Sequence, residues 1–164
     1  MGVTLRFPYQ LHAITGPPPL SLPAGTTHRW RPIVPVAIVS SSTGRRQFIR
    51  RALADTGSDD TIFPHYMAGA LGIPFLGDPK VPVSILWRGK SFAFRFGEVD
   101  LELDDGVSAC RWKTIVAFST APLSFALLGQ IGVLQFFDTT FRAVDRVTLF
   151  EPVASFPGTV TTQP

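Results

Sequence analysis

Two apolar runs that meet at a single carboxylate restrict the fold of this chain more than any other feature. Ile33 to Val39 is almost continuously apolar and β-branched, which suits a strand buried on both faces. Ser40-Ser41-Ser42-Thr43-Gly44 makes a turn, and Gln47 to Ala54 returns as the second strand of a hairpin. That strand delivers Asp55-Thr56-Gly57-Ser58, a carboxylate followed by a tight turn. A carboxylate at a strand end is held rigidly at the mouth of a cleft. Thr56 adds a hydroxyl that can satisfy backbone groups in a buried spot, and Gly57 leaves room for another backbone to come close. Two further acids, Asp59-Asp60, and the apolar step Thr61-Ile62-Phe63 follow.

Pro64 opens a predicted short helix through Leu71, with Gly72 just past its end, the usual asymmetry of proline first and glycine last. Val81, Val83 and Ile85, then Trp87-Arg88-Gly89-Lys90, then Phe92, Phe94 and Phe96 read as a β-hairpin around a polar turn. Glu98 to Leu103 alternates, Asp104-Asp105-Gly106 turns, and Trp112 to Phe118 returns. The acids at that turn read as tip charges. Ala126-Leu127-Leu128-Gly129 is a short apolar strand ending in glycine, and Gln130 to Phe137 suits a short helix. Phe141–Asp145 and Arg146–Phe150 suit a closing hairpin.

A chain of 164 residues is one domain with a real core. The boundaries read as an extended N-terminal arm over 1–28, a body over 29–152 and a flexible C-terminal tail over 153–164. Pro17-Pro18-Pro19, Pro23 and Gly25 mark the arm, although Leu5, Phe7, Tyr9 and Leu11 alternate as a strand would. With 45% hydrophobic and 16% charged residues, some apolar surface is expected to be buried between chains. The net charge of +3 comes from scattered arginines, so nucleic acid is not an expected partner. No run approaches the ~20 apolar residues of a membrane span, and the first residues show no basic n-region followed by an apolar h-region, so secretion by a conventional signal is not expected. A cytoplasmic protein without a membrane partner is expected. The single Cys110 excludes an intrachain disulfide. There is no glycine-rich phosphate loop and no ligand cluster of usable spacing, so neither cofactor nor metal is expected.

The Asp55–Phe63 stretch, with its upstream strand, resembles the aspartic proteases, and more narrowly the single-domain retropepsin-like members of bacterial type. A second signature, Ala126-Leu127-Leu128-Gly129, lies where that family carries two apolar residues and a glycine. The resemblance covers residues 30–150. It implies an all-β fold, a closed barrel of the acid-protease kind with one or two short helices and one lobe per chain. It also implies that Asp55, Thr56 and Gly57 are catalytic. Ser58, Asp59, Asp60 and Leu128 would bind substrate beneath a flap holding Leu86, Trp87, Arg88 and Gly89. Ser58 is placed to hydrogen-bond Asp55. The flap departs from the usual glycine-rich tip, and the same segment also reads as an ordinary meander with Trp87 in the core. Viral members carry arginine after the second glycine; Gln130 stands there, leaving Asp59 to another partner or to substrate.

Aspartic-protease chemistry needs two carboxylates sharing one proton, since both cannot be ionised at close range. The chain has one Asp-Thr-Gly; Asp138-Thr139-Thr140 lacks the glycine. A homodimer with Asp55 of each subunit on the two-fold axis is therefore expected, cleaving a peptide or protein substrate. The alternatives are a catalytically inactive retropepsin-like scaffold that dimerises or binds peptides, and an unrelated small β-barrel binding module.

Overall fold

The computed structural model describes residues 2–78, 83–87 and 90–162. Among the described residues it is mostly β, with thirteen strands, one short α-helix and one 3-10 turn. The first hairpin pairs β4 (Ile33–Ser40) with β5 (Arg46–Ala54), as the sequence indicates. Gly44 turns between them at φ 70°. Their register shifts between Val34 and Val36, at Pro35, which has no N–H to give to the ladder.

Strand β6 (Ile62–Pro64) follows the Asp loop, and helix α1 (Tyr66–Leu71) follows β6. The helix starts two residues later than expected, because Pro64 still lies in the strand, opposite Ser119. Gly72 closes α1 in the left-handed conformation, and Met67, Ala68 and Leu71 face the core. Strands β7 (Val83–Trp87) and β8 (Lys90–Asp104) form the predicted hairpin. Its Arg88 and Gly89, and the side chains of Leu86 and Trp87, lie outside the described residues. The long β8 then pairs with β9 (Ser108–Ser119). Strand β10 (Ala126–Leu128) lies between β5, to which it is parallel, and β6, to which it is antiparallel. Six strands of the large sheet run β9-β6-β10-β5-β4-β8, with β7 beyond β8, and the pairing of β8 with β9 closes those six into a ring of strands.

Three segments differ from expectation. The alternating residues near the N-terminus form β1 (Leu5–Pro8), which pairs with β12 (Val147–Pro152) and buries Leu5 and Phe7 in the main core. This part of the expected arm is structural. Beyond it, β2 (Gln10–Ala13) pairs with β3 (His28–Arg31). At the other end, the segment expected as a flexible tail carries β13 (Thr159–Thr162) on the edge of β9, and Phe156 packs against the core. The helix expected over Gln130–Phe137 shrinks to a 3-10 turn at Leu134–Phe136, with Phe137 already opening β11 (Phe137–Arg142). The Ile131 N–H donates to the Asp59 carbonyl at 2.7 Å, so the backbone there is committed to the Asp loop.

Trp112 anchors the core between Phe137 and Phe156, with ring centroids at 5.3 and 5.7 Å. Its indole N–H donates to the Gly132 carbonyl at 2.9 Å, so the one polar atom of the ring is satisfied on burial. The Arg46–Glu102, Arg111–Asp100 and Lys113–Glu98 pairs lie on the surface and contribute at most about 1 kcal/mol each. Asp105, expected as a tip charge, accepts backbone N–H bonds from Val107, Ser108 and Arg6 at 2.9, 2.8 and 2.9 Å, and so ties β1 to the β8–β9 turn. These donors outweigh the burial that pushes the other way, and the carboxyl sits below its ordinary range.

Candidate active site

Asp55 follows directly on β5, and its position is fixed from three sides. Its N–H donates to the Leu128 carbonyl of β10 at 3.0 Å. Its carbonyl accepts the Ser58 N–H at 3.2 Å, closing a turn. Its Oδ1 accepts the Gly57 N–H at 3.0 Å, the short side-chain-to-backbone bond that Asp makes readily at turns. Thr56 and Gly57 are exposed at the tip, whereas Asp55 and Ser58 are half-buried. Within 4 Å, a Cβ built on Gly57 would meet only Asp55 Oδ1, at 3.3 Å. Within one chain, no other backbone approaches the bare face of this glycine among the described residues.

The Ser58 hydroxyl does not reach Asp55. It donates to the Asp60 carbonyl at 2.7 Å and braces the far side of the loop. Its single donor is spent there, while the near oxygen of Asp55 is already taken by Gly57.

Strand β10 is held closely against the Asp loop just past its end, at Gly129. A Cβ on Gly129 would lie 2.5 Å from the Asp60 carbonyl carbon and 2.7 Å from the Ser58 carbonyl oxygen, and nearer still to the Asp60 oxygen. Only glycine fits between these backbones. The contact is reinforced on both sides of it. Gly129 N–H donates to the buried Thr61 hydroxyl at 3.1 Å, Gln130 N–H to the Ser58 carbonyl at 2.9 Å, and Thr61 N–H to the Ile131 carbonyl at 3.0 Å. Thr61 is the positioning residue that the sequence did not single out. The glycine pair Gly129…Gly132 was the available signal, since a Cβ on Gly132 (φ 96°) would touch that same hydroxyl at 3.2 Å. The Gln130 amide donates to the Thr56 carbonyl at 3.2 Å, so it supports the tip of the loop rather than Asp59.

Asp59 is exposed and Asp60 is half-buried. Burial, and then the neighbouring Asp59 charge, push the Asp60 carboxyl above its ordinary range. Leu128, expected at the substrate, has a fully buried side chain in the main core, because successive β10 residues face opposite ways. Its neighbour Leu127 instead joins a smaller cluster with Ile62, Phe94 and Ala117, against which Leu53, Phe96 and Leu123 are partly buried. Within that cluster, Leu53 lies two residues upstream of Asp55 on β5. The cluster also ties in the base of the β7–β8 hairpin through Phe94, which faces Val83 in the ladder. Among the described residues, no three His, Cys, Asp or Glu side chains are grouped to hold a metal ion, and no helix is long and apolar enough to cross a membrane.

Chemically, one chain offers a single rigid carboxylate beside an exposed Thr-Gly tip and an apolar cluster, with two further acids a few residues downstream. No model of a known protein family matches the chain, and no curated protein matches it either.

Proposed function

We propose that the chain is a retropepsin-like aspartic endopeptidase that works as a homodimer, its ring of strands being a closed barrel of the acid-protease kind. The observation that carries this reading is the interlock of the Asp55 loop with β10 through Gly129, which leaves Thr56 and Gly57 bare at the tip. A monomeric turn does not need an exposed glycine without positive φ. A second loop packed across a two-fold axis does, with the Thr56 hydroxyls bracing the pair.

In that dimer the two Asp55 carboxylates share one proton. The ionised one takes a proton from a water, whose oxygen attacks the scissile carbonyl carbon. The neutral one gives its proton to the carbonyl oxygen, so that a gem-diol forms. Collapse of the diol breaks the C–N bond, a proton passes to the leaving nitrogen, and the shared proton is restored. Asp59 and Asp60 would hold the peptide backbone. The cluster of Leu53, Ile62, Leu127 and Phe96 would receive an apolar side chain beside the scissile bond, and the β7–β8 hairpin would cover it.

Asp55→Asn tests the reading. Loss of cleavage of an unstructured protein such as casein, with the dimer intact by sedimentation, supports it. A wild-type dimer that cleaves nothing between pH 3 and 8 refutes it and leaves a peptide-binding scaffold.

A further inference from the structure

A second groove lies away from Asp55. It is a cleft of about 600 Å³ between the first half of β5, the start of α1 and the 119–126 segment. Strand β10 pairs with β5 only at Ala52–Ala54, so the edge of β5 from Gln47 to Arg51, opposite β4, has no strand beside it among the described residues. The groove runs along this edge. An unpaired edge of five residues is about 17 Å of backbone able to accept an added strand.

The walls narrow the kind of segment that fits. Phe48 and Tyr66 are 54% and 67% exposed, large apolar surface for a monomer to leave in water. None of the residues lining the groove is acidic. Arg51 is held in place rather than waving in solvent. Its guanidinium stacks on the Phe125 ring at 5.0 Å and donates to His12 Nδ1 at 2.9 Å. Arg31 stacks on the same ring at 5.5 Å, which brings two guanidiniums around one phenyl group. Neither arginine has a carboxylate partner among the described residues. Positioned, unpaired cations beside an open strand edge favour an anionic partner in extended form.

We propose that this groove binds an extended acidic peptide segment, which adds as a strand to the Gln47–Arg51 edge of β5 and sets a carboxylate on Arg51. Main-chain bonds to β5 supply affinity, and alternate side chains contact Phe48 and Tyr66. The site does not depend on catalysis by Asp55, and its test is a binding measurement made with the Asp55→Asn chain.

The probes are fluorescein-labelled ten-residue peptides in which Val, Ile and Thr alternate with Glu, against the same peptides with Gln for Glu. Glu peptides should bind about three- to five-fold more tightly, the discrimination expected of one ion pair at an exposed arginine. Arg51→Glu should erase the preference, and peptide binding should slow amide exchange over residues 47–51. Arg51 is exposed, so the variant should fold; Arg51→Gln replaces it if it does not. Equal binding of the two peptide sets, or a preference that survives Arg51 replacement, overturns the proposal. So does a wild-type self-association abolished by Phe48→Asp, which would give the groove to a second copy of the chain.

Discussion

Replacing Gly129 by alanine puts one methyl group where the Asp loop and β10 cross. The structure leaves it no room, with the Ser58 carbonyl oxygen at 2.7 Å and the Asp60 carbonyl closer still. Those neighbours are backbone, already hydrogen-bonded to Gln130 and the Ser58 hydroxyl, so they cannot swing aside as a flexible side chain would. Overpacking of this kind costs about 1–3 kcal/mol, and a backbone-on-backbone clash belongs at the upper end. For a domain of this size about 3 kcal/mol lowers Tm by roughly 6–12 °C. Gly69 is the internal control. It lies in α1 with nothing within 4 Å of its would-be Cβ. Gly69→Ala should therefore gain about 0.5–1 kcal/mol from helix propensity and raise Tm by roughly 1–4 °C. Calorimetry of the two variants beside the wild type reads opposite signs from the same chemical change. A Gly129→Ala chain that melts with the wild type would refute the interlock, and with it the positioning of Asp55.

Three other outcomes follow from the packing. Asp105 has a lowered carboxyl, so its contribution is present above the unfolded carboxylate value of about 4 and is lost as pH falls through the lower folded value. Asp105→Asn should thus be less stable than wild type at pH 7 by up to about 1 kcal/mol, with the gap closing toward pH 2 in urea titrations. Cys110 is buried, and burial, aided by the Asp105 charge, pushes its thiol up to about 11, so a thiol reagent at pH 8 should label it only after denaturant is added. Removing residues 153–164 strips Phe156 from Trp112 and Phe137 and should cost about 1–3 kcal/mol by urea unfolding; an unchanged midpoint would contradict the packing of that segment.

How far the sequence could be read depended on whether local pattern and tertiary contact agreed. The β4–β5 hairpin was legible because Ile33 to Val39 is β-branched and covered on both faces, and the turn between the strands is rich in Ser and Gly. Gly129 was legible because an apolar strand ending in glycine has a steric meaning that the structure bears out. The 130–137 segment misled because Ile131, Val133, Leu134, Phe136 and Phe137 carry a helix-like spacing, whereas its backbone is bound to Asp59 and Thr61. Leu5 and Phe7 alternated visibly, but nothing local shows that β12 lies beside them. The last residues are polar and Thr-rich, and only the edge of β9 makes a strand of them. At the site, the exchange of roles between Gly57 and Ser58 was out of reach, since either can hydrogen-bond Asp55 and only the turn geometry decides.

The proposed half-site in each chain is tested most directly by mixing. Wild-type protein is held at a fixed concentration, increasing amounts of the Asp55→Asn chain are added under conditions of subunit exchange, and peptide cleavage is measured. If two Asp55 carboxylates act together, mixed dimers are dead and the rate falls toward zero as the variant comes into excess. A rate that stays constant at every ratio would mean that one chain carries the whole activity, and the shared-dyad account would be wrong.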